Sequence, residues 1–263
     1  MRRDLTKLIA LSAISCVLAL GTAAPSRADL LDDVKKAKVV RVAIVTDYPP
    51  FGFVGPSMKP EGYDIEVASL IAKLIGVAVE LVPVTSANKI PYIQSKRADV
   101  LLNIGRTDER AKVVDFTNPY APYYIGVFGP PDVAVTKIED LAGKSIAATR
   151  GSFEELILSR SAPPNTDIKR FEDNSATIQA FTSGQTQLIG IGNIVAAALR
   201  DRKPARTPDQ KLLLLNSPVC AAVLKGEAAL LAEVNAAIAG AKSDGILARM
   251  SQSWLKQPFP QDL

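Results

Sequence analysis

Strand-like and helix-like segments alternate along nearly the whole chain, and this alternation limits the possible folds more than any other feature of the sequence. The strand-like segments are the apolar runs at 39–45, 77–84, 99–102, 145–149, 168–171 and 187–191. The helix-like segments between them lie at 64–75, which Gly76 is expected to end, and at 90–95, 152–159 and 175–182. Two further helix-like segments follow at 228–239 and 246–255. Regular alternation of this kind predicts an α/β protein with mainly parallel sheets flanked by helices.

Two parts of the chain share one pattern. Residues 90–105 and 179–193 each contain a helix-like segment, a serine-containing turn and an apolar strand-like segment. This similarity favours two lobes of like build, although it is also ordinary in α/β sequences. The Gly- and Pro-rich segment at 126–131 is the predicted crossing into the second lobe, and the apolar run at 219–224 is the predicted return. The predicted boundaries are 29–125 and 223–263 for a discontinuous lobe 1 and 126–222 for the inserted lobe 2.

The first 28 residues have the composition of a secretory signal peptide. Three basic residues precede an apolar run at 8–20, and small residues surround Ala28. The run is too short to span a bilayer comfortably, so cleavage near Ala28 is favoured over a retained membrane anchor. We therefore expect a periplasmic protein that begins at Asp29.

Removal of this leader leaves a nearly neutral protein. Four of the 31 basic residues and one of the 27 acidic residues lie in the leader, which leaves 27 and 26. This balance gives no support for nucleic-acid binding. The chain has no histidine, and only Cys220 remains after the leader. His-based metal sites, Ser-His or Cys-His catalysis and an intrachain disulfide are thus excluded, and we expect neither a metal nor a cofactor.

The loops that follow the predicted strands are the expected ligand site, because open α/β sheets bind ligands beyond the carboxyl ends of their strands. Two of these loops belong to lobe 1 and two to lobe 2. A ligand in contact with all of them would lie in a cleft between the lobes. The loops contain Asp47 and Tyr48, residues 103–110, residues 150–152, and Gly192 with Asn193.

Each lobe offers one element that attracts an anion. In lobe 1, Arg110 can donate two hydrogen bonds to a carboxylate, or it can be a surface arginine of a charged helix. In lobe 2, the segment from Ser152 to Glu155 follows Gly151 and has the pattern of a capping box. It marks a helix start whose free amide groups attract negative charge, as many helix starts do. A carboxylate satisfies both elements only when the lobes meet.

The Tyr48-Pro-Pro-Phe51 segment offers two aromatic rings on a stiff turn. These rings suit an apolar or flat part of a ligand, and they suit packing into the core equally well. Asp47 is the acidic group nearest to the predicted cleft. It can face a ligand cation, or it can cap a turn.

Residues 106–120, with the sequence RTDERAKVVDFTNPY, resemble the signature T-P-E-R-A-K-x-V-D-F-S-x-P-Y of the bacterial family 3 solute-binding proteins. The segments 41–51, 61–68 and 141–152 resemble further motifs of that family in the expected order. The resemblance covers nearly the whole mature chain and implies a type II periplasmic-binding-protein fold with two lobes. It also implies a small carboxylate or amino-acid ligand, delivery by a monomer to an inner-membrane ABC permease, and no catalysis.

The resemblance also implies roles for individual residues. In the family, the arginine that matches Arg110 binds the α-carboxylate of the ligand, and the tyrosine that matches Tyr48 covers the ligand side chain. Groups at the positions of Gly105, Thr107 and Ser152 assist the arginine. The remaining candidate binding residues are Asn103, Gly151, Asp47, Phe51, Gly192 and Asn193.

The sequence departs from the family on the opposite side of the cleft. The family usually carries S-G-x-x-D-A-x-x-x-D, whose last aspartate binds the α-ammonium group, whereas this chain has Gln187 and Gly192 at the two acidic positions. Gly105 also replaces a common serine. Burial of an unpaired ammonium group costs several kcal/mol. Either Asp47 or another acid replaces the aspartate, or the ligand is a carboxylate without an ammonium group.

Two other functions remain open. Cyclohexadienyl dehydratases belong to the same fold family, but the sequence places no evident pair of carboxylates for acid–base catalysis. A partner that reports ligand occupancy to a membrane receptor is the second alternative. We expect a binding protein that serves an importer.

Overall fold

The computed structural model describes residues 29–263, so the predicted signal peptide at 1–28 lies outside the described residues. The strands are β1 (Val39–Ile44), β2 (Asp47–Tyr48), β3 (Gly52–Val54), β4 (Pro60–Glu61), β5 (Ala78–Pro83), β6 (Val100–Ile104), β7 (Val114–Ala121), β8 (Tyr124–Gly129), β9 (Ser145–Thr149), β10 (Asp167–Phe171), β11 (Leu188–Gly192), β12 (Asp209–Asn216) and β13 (Val219–Leu224). The α-helices are α1 (Leu30–Ala37), α2 (Tyr63–Ile75), α3 (Lys89–Gln94), α4 (Asp108–Ala111), α5 (Phe153–Ser161), α6 (Asn174–Thr182), α7 (Asn193–Asp201), α8 (Ala228–Ser243) and α9 (Ile246–Met250).

The strands form two five-stranded sheets of matching construction. The first has the order β5-β1-β6-β13-β7, with β1 parallel to both β5 and β6, and β13 antiparallel to β6 and β7. The second has the order β10-β9-β11-β8-β12, in which β9 is parallel to β10 and β11, and β8 is antiparallel to β11 and β12. Helices flank both sheets, so the predicted α/β class is confirmed. A small antiparallel sheet joins β2, β3 and β4.

The inner strands are apolar because both faces of each sheet are covered. In β1, the residues Val40, Val42, Ala43 and Ile44 have no exposed surface. This burial explains why the strand is a nearly continuous apolar run instead of an alternating pattern. The buried strands also hold their carboxyl ends in place, and the loops of the site extend from these ends.

The chain crosses between the sheets twice. It leaves the first sheet at Ala121 and enters the second at Tyr124, and it returns between Asn216 and Val219. The predicted lobe boundaries at 125/126 and 222/223 fall inside β8 and β13. The apolar run at 219–224 is a strand of the first sheet, because its ladder pairs with β6 and β7. The boundaries of the lobes themselves stay a prediction.

The helices follow the predicted pattern with small shifts at their ends. α2 buries Tyr63, Val67 and Ile71 and is followed by Gly76, whose φ of 80° is left-handed, as expected for a glycine that ends a helix. α8 packs against α2 and β7 of the first sheet. The helix predicted at 246–255 is divided, since α9 ends at Met250 and a wider π-helical turn follows. Within residues 29–263, no helix is both long and apolar enough to span a membrane.

Candidate functional site

A cleft lies between the carboxyl ends of the two sheets, where the sequence predicts it. Loops that follow β1 and β6 form one wall, and the loop that follows β9 with the start of α5 forms the other. The two crossing segments close its base. The lining residues are Val45, Tyr48, Ser86, Lys89, Asn103, Ile104, Gly105, Arg110, Tyr123, Gly151, Ser152, Phe153, Glu154, Asn174, Ser217, Pro218 and Val219.

Arg110 reaches across the cleft from α4. Its Nη1 donates a hydrogen bond to the carbonyl oxygen of Gly105 at 2.9 Å, and its Nη2 donates to the carbonyl oxygen of Gly151 at 3.0 Å. Gly105 follows β6 of the first sheet and Gly151 follows β9 of the second. Thr107 fixes the start of α4, because its Oγ1 accepts a hydrogen bond from the Arg110 amide at 3.1 Å. The hydrogen bonds of the guanidinium itself thus go to neutral backbone carbonyl groups.

The start of α5 forms the opposite wall. Ser152 is the residue before the helix, and its Oγ accepts a hydrogen bond from the Glu155 amide at 3.1 Å. The other half of the predicted capping box does not form, since the Glu155 carboxylate instead accepts from Arg170 at 2.7 Å. Gly151 has a φ of +71°, and a Cβ there would lie 2.7 Å from the Cα of Ala87. The backbones of the two walls therefore approach each other closely.

Gly105 and Gly192 both make room for an aromatic ring. A Cβ on Gly105 would overlap the ring of Phe153, and the Arg110 guanidinium carbon lies 5.9 Å from the centre of that ring. A Cβ on Gly192 would overlap the hydroxyl end of Tyr123. At these two departures from the family pattern, a side chain would therefore fit only if the facing ring moved.

A second buried cation lies on the Arg110 side. Lys89 is 6% exposed, and its Nζ donates a hydrogen bond to the carbonyl oxygen of Asn103. Burial lowers the pKa of Lys89 to about 8, and the Asp64 carboxylate partly opposes that shift. Asp64 accepts hydrogen bonds from the Tyr120 hydroxyl at 2.8 Å and from the side-chain amide of Asn103 at 3.2 Å. Burial raises the pKa of Asp64 to about 6. Asn103 thereby links the cleft to the core.

The opposite side contains a buried acid. Glu154, on the first turn of α5, is 6% exposed. Its Oε1 accepts hydrogen bonds from the hydroxyls of Tyr123 at 2.8 Å and Tyr48 at 3.2 Å. The two hydroxyls lie 2.7 Å apart, and the Gly192 amide donates to the Tyr48 oxygen at 3.2 Å. Burial raises the pKa of both tyrosines well above the usual value, so the hydroxyls stay protonated and can donate.

Several predicted binding residues lie elsewhere. Asp47 does not line the cleft, because its carboxylate accepts hydrogen bonds from the Asn174 amide and side chain, both at 2.8 Å, at the start of α6. Phe51 has no exposed surface and packs edge-on against Tyr123 in the core. Asn193 accepts a hydrogen bond from the Tyr124 amide at 3.0 Å, which fixes the start of α7 to β8. These three contacts are structural.

Sequence reasoning missed most of the other cleft residues, among them Glu154, Phe153, Lys89 and Tyr123. Glu154 and Phe153 were part of the helix-start motif, but the motif does not tell which side chain turns toward the other lobe. Lys89 begins α3 and resembles a surface lysine in sequence. Tyr123 belongs to the segment that joins the sheets. The one sequence signal for Glu154 was the presence of an acidic residue in a segment that was expected to face the ligand.

The cleft offers no grouping suited to a metal ion. Among residues 29–263, no cluster of three or more His, Cys, Asp or Glu side chains is placed to hold one. Cys220 is buried in β13 and forms no disulfide within this part of the chain. The chemistry of the cleft therefore comes from Arg110, Lys89, Glu154 and the surrounding hydroxyl and amide groups.

The chain is similar to known solute-binding proteins in both sequence and structure. The model of the bacterial extracellular solute-binding proteins, family 3, matches residues 40–257. The chain is 29% identical to the L-cystine-binding protein of Escherichia coli strain K12 over 247 residues, which is 92% of each protein. A cysteine-binding protein from Campylobacter jejuni has a similar structure, with a TM-score of 0.82, 28% identity and coverage of 89% of this chain and 96% of that one. An ancestral amino acid-binding protein, described as a precursor of cyclohexadienyl dehydratase, has a TM-score of 0.78 and 29% identity, with coverage of 86% and 99%.

Proposed function

Since the chain belongs to family 3 of the bacterial extracellular solute-binding proteins, we propose that it captures a small carboxylate-bearing solute, an amino acid or an amino-acid-like compound, and delivers it to an ABC importer. The ligand lies in the cleft between the two sheets and contacts both walls. Binding then favours the closed form, because only that form presents both walls to one molecule.

The state of Arg110 carries this proposal. Its guanidinium lies in the cleft and bonds to two carbonyl oxygens, but among residues 29–263 it forms no ion pair with a carboxylate. Hydrogen bonds between a guanidinium and a carboxylate are about twice as strong as neutral ones. The bonds to the carbonyl oxygens already have an ionised donor, and a ligand carboxylate adds to such bonds the attraction between two full opposite charges.

The charge balance of the cleft supports the same ligand class. Lys89 and Arg110 are cations, and Glu154 is the single acid among the lining residues. The lining carries a net charge of +1 when all three groups are ionised, which favours a ligand with at least one anionic group. Ser152 adds the free amide groups of a nine-residue helix on the facing wall.

A thermal-shift screen tests the proposal directly. Mature protein is heated with L-cystine, L-cysteine and the other common amino acids, and in parallel with amines that lack the carboxylate, such as cystamine and cysteamine. A ligand at about 100 times its dissociation constant stabilises the folded state by about 2.7 kcal/mol. We expect stabilisation by at least one carboxylate compound and none by its amine counterpart. Stabilisation by the amine alone contradicts the carboxylate assignment.

We propose binding without turnover, on the basis that the named relatives are binding proteins and that Glu154 is the single acid in the cleft lining. The ancestral neighbour linked to a dehydratase makes a direct assay worthwhile. Incubation with prephenate and with arogenate should give no aromatic product. Formation of phenylpyruvate or phenylalanine at a rate proportional to protein concentration would establish an enzyme.

The proposed setting is the periplasm, where the protein acts as a monomer after cleavage near Ala28. The family's extracellular location and the composition of residues 1–28 support this assignment. N-terminal sequencing of the exported protein should give Asp29 as the first residue. Recovery of the uncleaved chain from the membrane fraction would contradict it.

A further inference from the structure

Glu154 ends a chain of hydrogen bonds that all run toward it. The Gly192 amide donates to the Tyr48 oxygen, the Tyr48 hydroxyl lies 2.7 Å from that of Tyr123, and Tyr123 donates to Glu154 Oε1 at 2.8 Å. Each hydroxyl has one proton to donate, so this order satisfies every member. The terminal group must then accept, as an ionised carboxylate does.

One oxygen of this carboxylate remains available. Tyr123 donates to Oε1, the Tyr48 oxygen lies 3.2 Å from the same atom, and Oε2 accepts no hydrogen bond from any side chain or backbone group of residues 29–263. Glu154 lines the cleft and is 6% exposed. A buried carboxylate with an unused acceptor favours a hydrogen-bonding cation beside it.

The residues that hold Glu154 also explain Gly192. Any side chain at that position would overlap the hydroxyl end of Tyr123. An acid on β11 could therefore be present only if the Tyr123 ring moved from its place beside Glu154. The chain has the tyrosine, and the tyrosine holds an acid that comes from α5 instead.

The position of Glu154 relative to Arg110 fits a single small zwitterion. Both side chains line one cleft. Burial lowers the pKa of Arg110, and the nearby Glu154 carboxylate partly opposes this shift. In an α-amino acid, one carbon atom separates the carboxylate from the ammonium group. A cation site and an anion site that interact across one cleft can therefore hold both ends of the same molecule.

We propose that Glu154, positioned by Tyr48 and Tyr123, binds the ammonium group of the ligand and takes over the role of the acid that is absent at Gly192. This inference rests on the proposed function and narrows it, because it assigns the ligand to the amino acids and excludes des-amino carboxylates. Glu154 is thus a residue that determines specificity.

The test compares amino acids with analogues that lack only the ammonium group. Calorimetry measures the affinity of mature protein for L-cystine against 3,3′-dithiodipropionate, for L-cysteine against 3-mercaptopropionate, and for any other amino acid that binds against its des-amino analogue. The variants are Glu154→Gln and the matched control Glu155→Gln. Glu155 is the next residue of α5, is 8% exposed and pairs with Arg170 outside the cleft.

We expect the wild-type protein to prefer the amino acid. Glu154→Gln should lower amino-acid affinity by at least about 30-fold, the lower limit for removal of one partner of a buried charge pair. The same change should leave affinity for the des-amino analogue within about threefold, because that ligand makes no ion pair with Glu154. Glu155→Gln should retain the preference. A purely structural role would instead lower both affinities together.

A second variant keeps the test decisive if Glu154→Gln fails to fold. Tyr123→Phe keeps the ring against Gly192 and removes the hydroxyl that holds Glu154, so it should reduce the preference for the amino acid by about 3- to 10-fold. Equal wild-type affinity for the amino acid and its analogue overturns this inference but leaves the carboxylate proposal standing. Failure of the wild-type protein to bind any member of either set overturns the proposed function itself.

Discussion

The two sides of the cleft hold their charges in different ways. On one side, Arg110 is fixed by Thr107 on its own short helix and by two backbone carbonyl groups. On the other side, Glu154 is fixed by the hydroxyls of Tyr48 and Tyr123, which come from two distant segments. The first arrangement is mostly local in sequence, and the second exists only in the folded chain.

The same contrast appears in the two glycines. Gly105 admits Phe153, an apolar ring that packs beside Arg110, whereas Gly192 admits Tyr123, whose hydroxyl bonds to the acid. The absence of a side chain therefore makes room for ring packing at Gly105. At Gly192 it makes room for a hydroxyl that positions the Glu154 carboxylate. A glycine at a family acidic position does not by itself mean that the acid is lost.

The largest effect is expected at Arg110. Arg110→Ala removes two donors to the ligand carboxylate, each contributing about 1.5–3 kcal/mol, so affinity should fall by at least about 100-fold. Titration calorimetry with the amino acid that binds best measures this loss. The fold should survive, because the partners of the guanidinium are carbonyl groups that water can reach once the lobes separate.

Arg106→Ala is the matched control for this change. Arg106 lies four residues earlier on the same loop, is exposed, and stacks over the Phe116 ring at 4.9 Å, outside the cleft lining. It should bind like the wild-type protein. Equal losses in both variants would mean that general positive charge, and not the position of Arg110, attracts the ligand.

A smaller effect is expected when a methyl group is added at Gly105 or Gly192. Gly105→Ala and Gly192→Ala each force an aromatic ring to move, and overpacking of this kind costs about 1–3 kcal/mol. The Gly192–Tyr123 clash lies beside the pairing of Gly192 with Ile125 and remains when the lobes separate, so Gly192→Ala should also lower folding stability. The Gly105–Phe153 clash joins the two sheets and is relieved by separation, so for Gly105→Ala the closed form alone should pay this cost. Ligand affinity of Gly105→Ala should then fall by about 5- to 150-fold with little change in the free energy of unfolding without ligand.

Small-angle scattering and denaturant unfolding check this pair of variants. At the same ligand concentration, the radius of gyration of Gly105→Ala should exceed that of the wild-type protein, because a smaller fraction of the variant is closed. Gly105→Ala combined with Phe153→Leu should recover affinity, because the smaller side chain frees the space. A normal radius with a large loss of folding stability would show that the clash lies within a lobe.

The smallest effect concerns Lys89, the second cation of the Arg110 side. Burial lowers its pKa to about 8 from the usual 10.5. Between these values the unfolded chain binds more protons than the folded one, so the free energy of unfolding should rise with pH. The slope is at most about 1.4 kcal/mol per pH unit, the value for one proton.

Urea unfolding of ligand-free protein between pH 7.5 and 10.5 measures this slope. The charged groups that act on Lys89 are Asp64 on α2, Arg110 on α4, Glu154 on α5 and Asp47 on β2. Lys89→Met removes the titrating group and keeps these neighbours, so its slope should be smaller than that of the wild-type protein. Identical slopes would show that Lys89 does not cause the pH dependence, since tyrosines with raised pKa values would make the free energy of unfolding fall with pH.

Much of the fold was predictable because it follows from local patterns. The apolar runs became inner strands since both faces of each sheet are covered, as Val42 and Ile44 show. Gly76 ends α2 and Ser152 begins α5 in the expected way. The predicted helix at 246–255 was wrong in its second half, where the chain widens into a π-helical turn after Met250.

Local patterns were enough to predict the α/β class, the loops at the strand ends and Arg110 as a candidate for carboxylate binding, since each depends on residues close together in the chain. Only the tertiary structure decided that Glu154 faces the cleft and that Asp47 instead fixes the start of α6. The contacts responsible join Tyr48 to Glu154 across 106 residues and Gly192 to Tyr48 across 144. No local propensity encodes such pairs, because they form only when two separately folded walls meet.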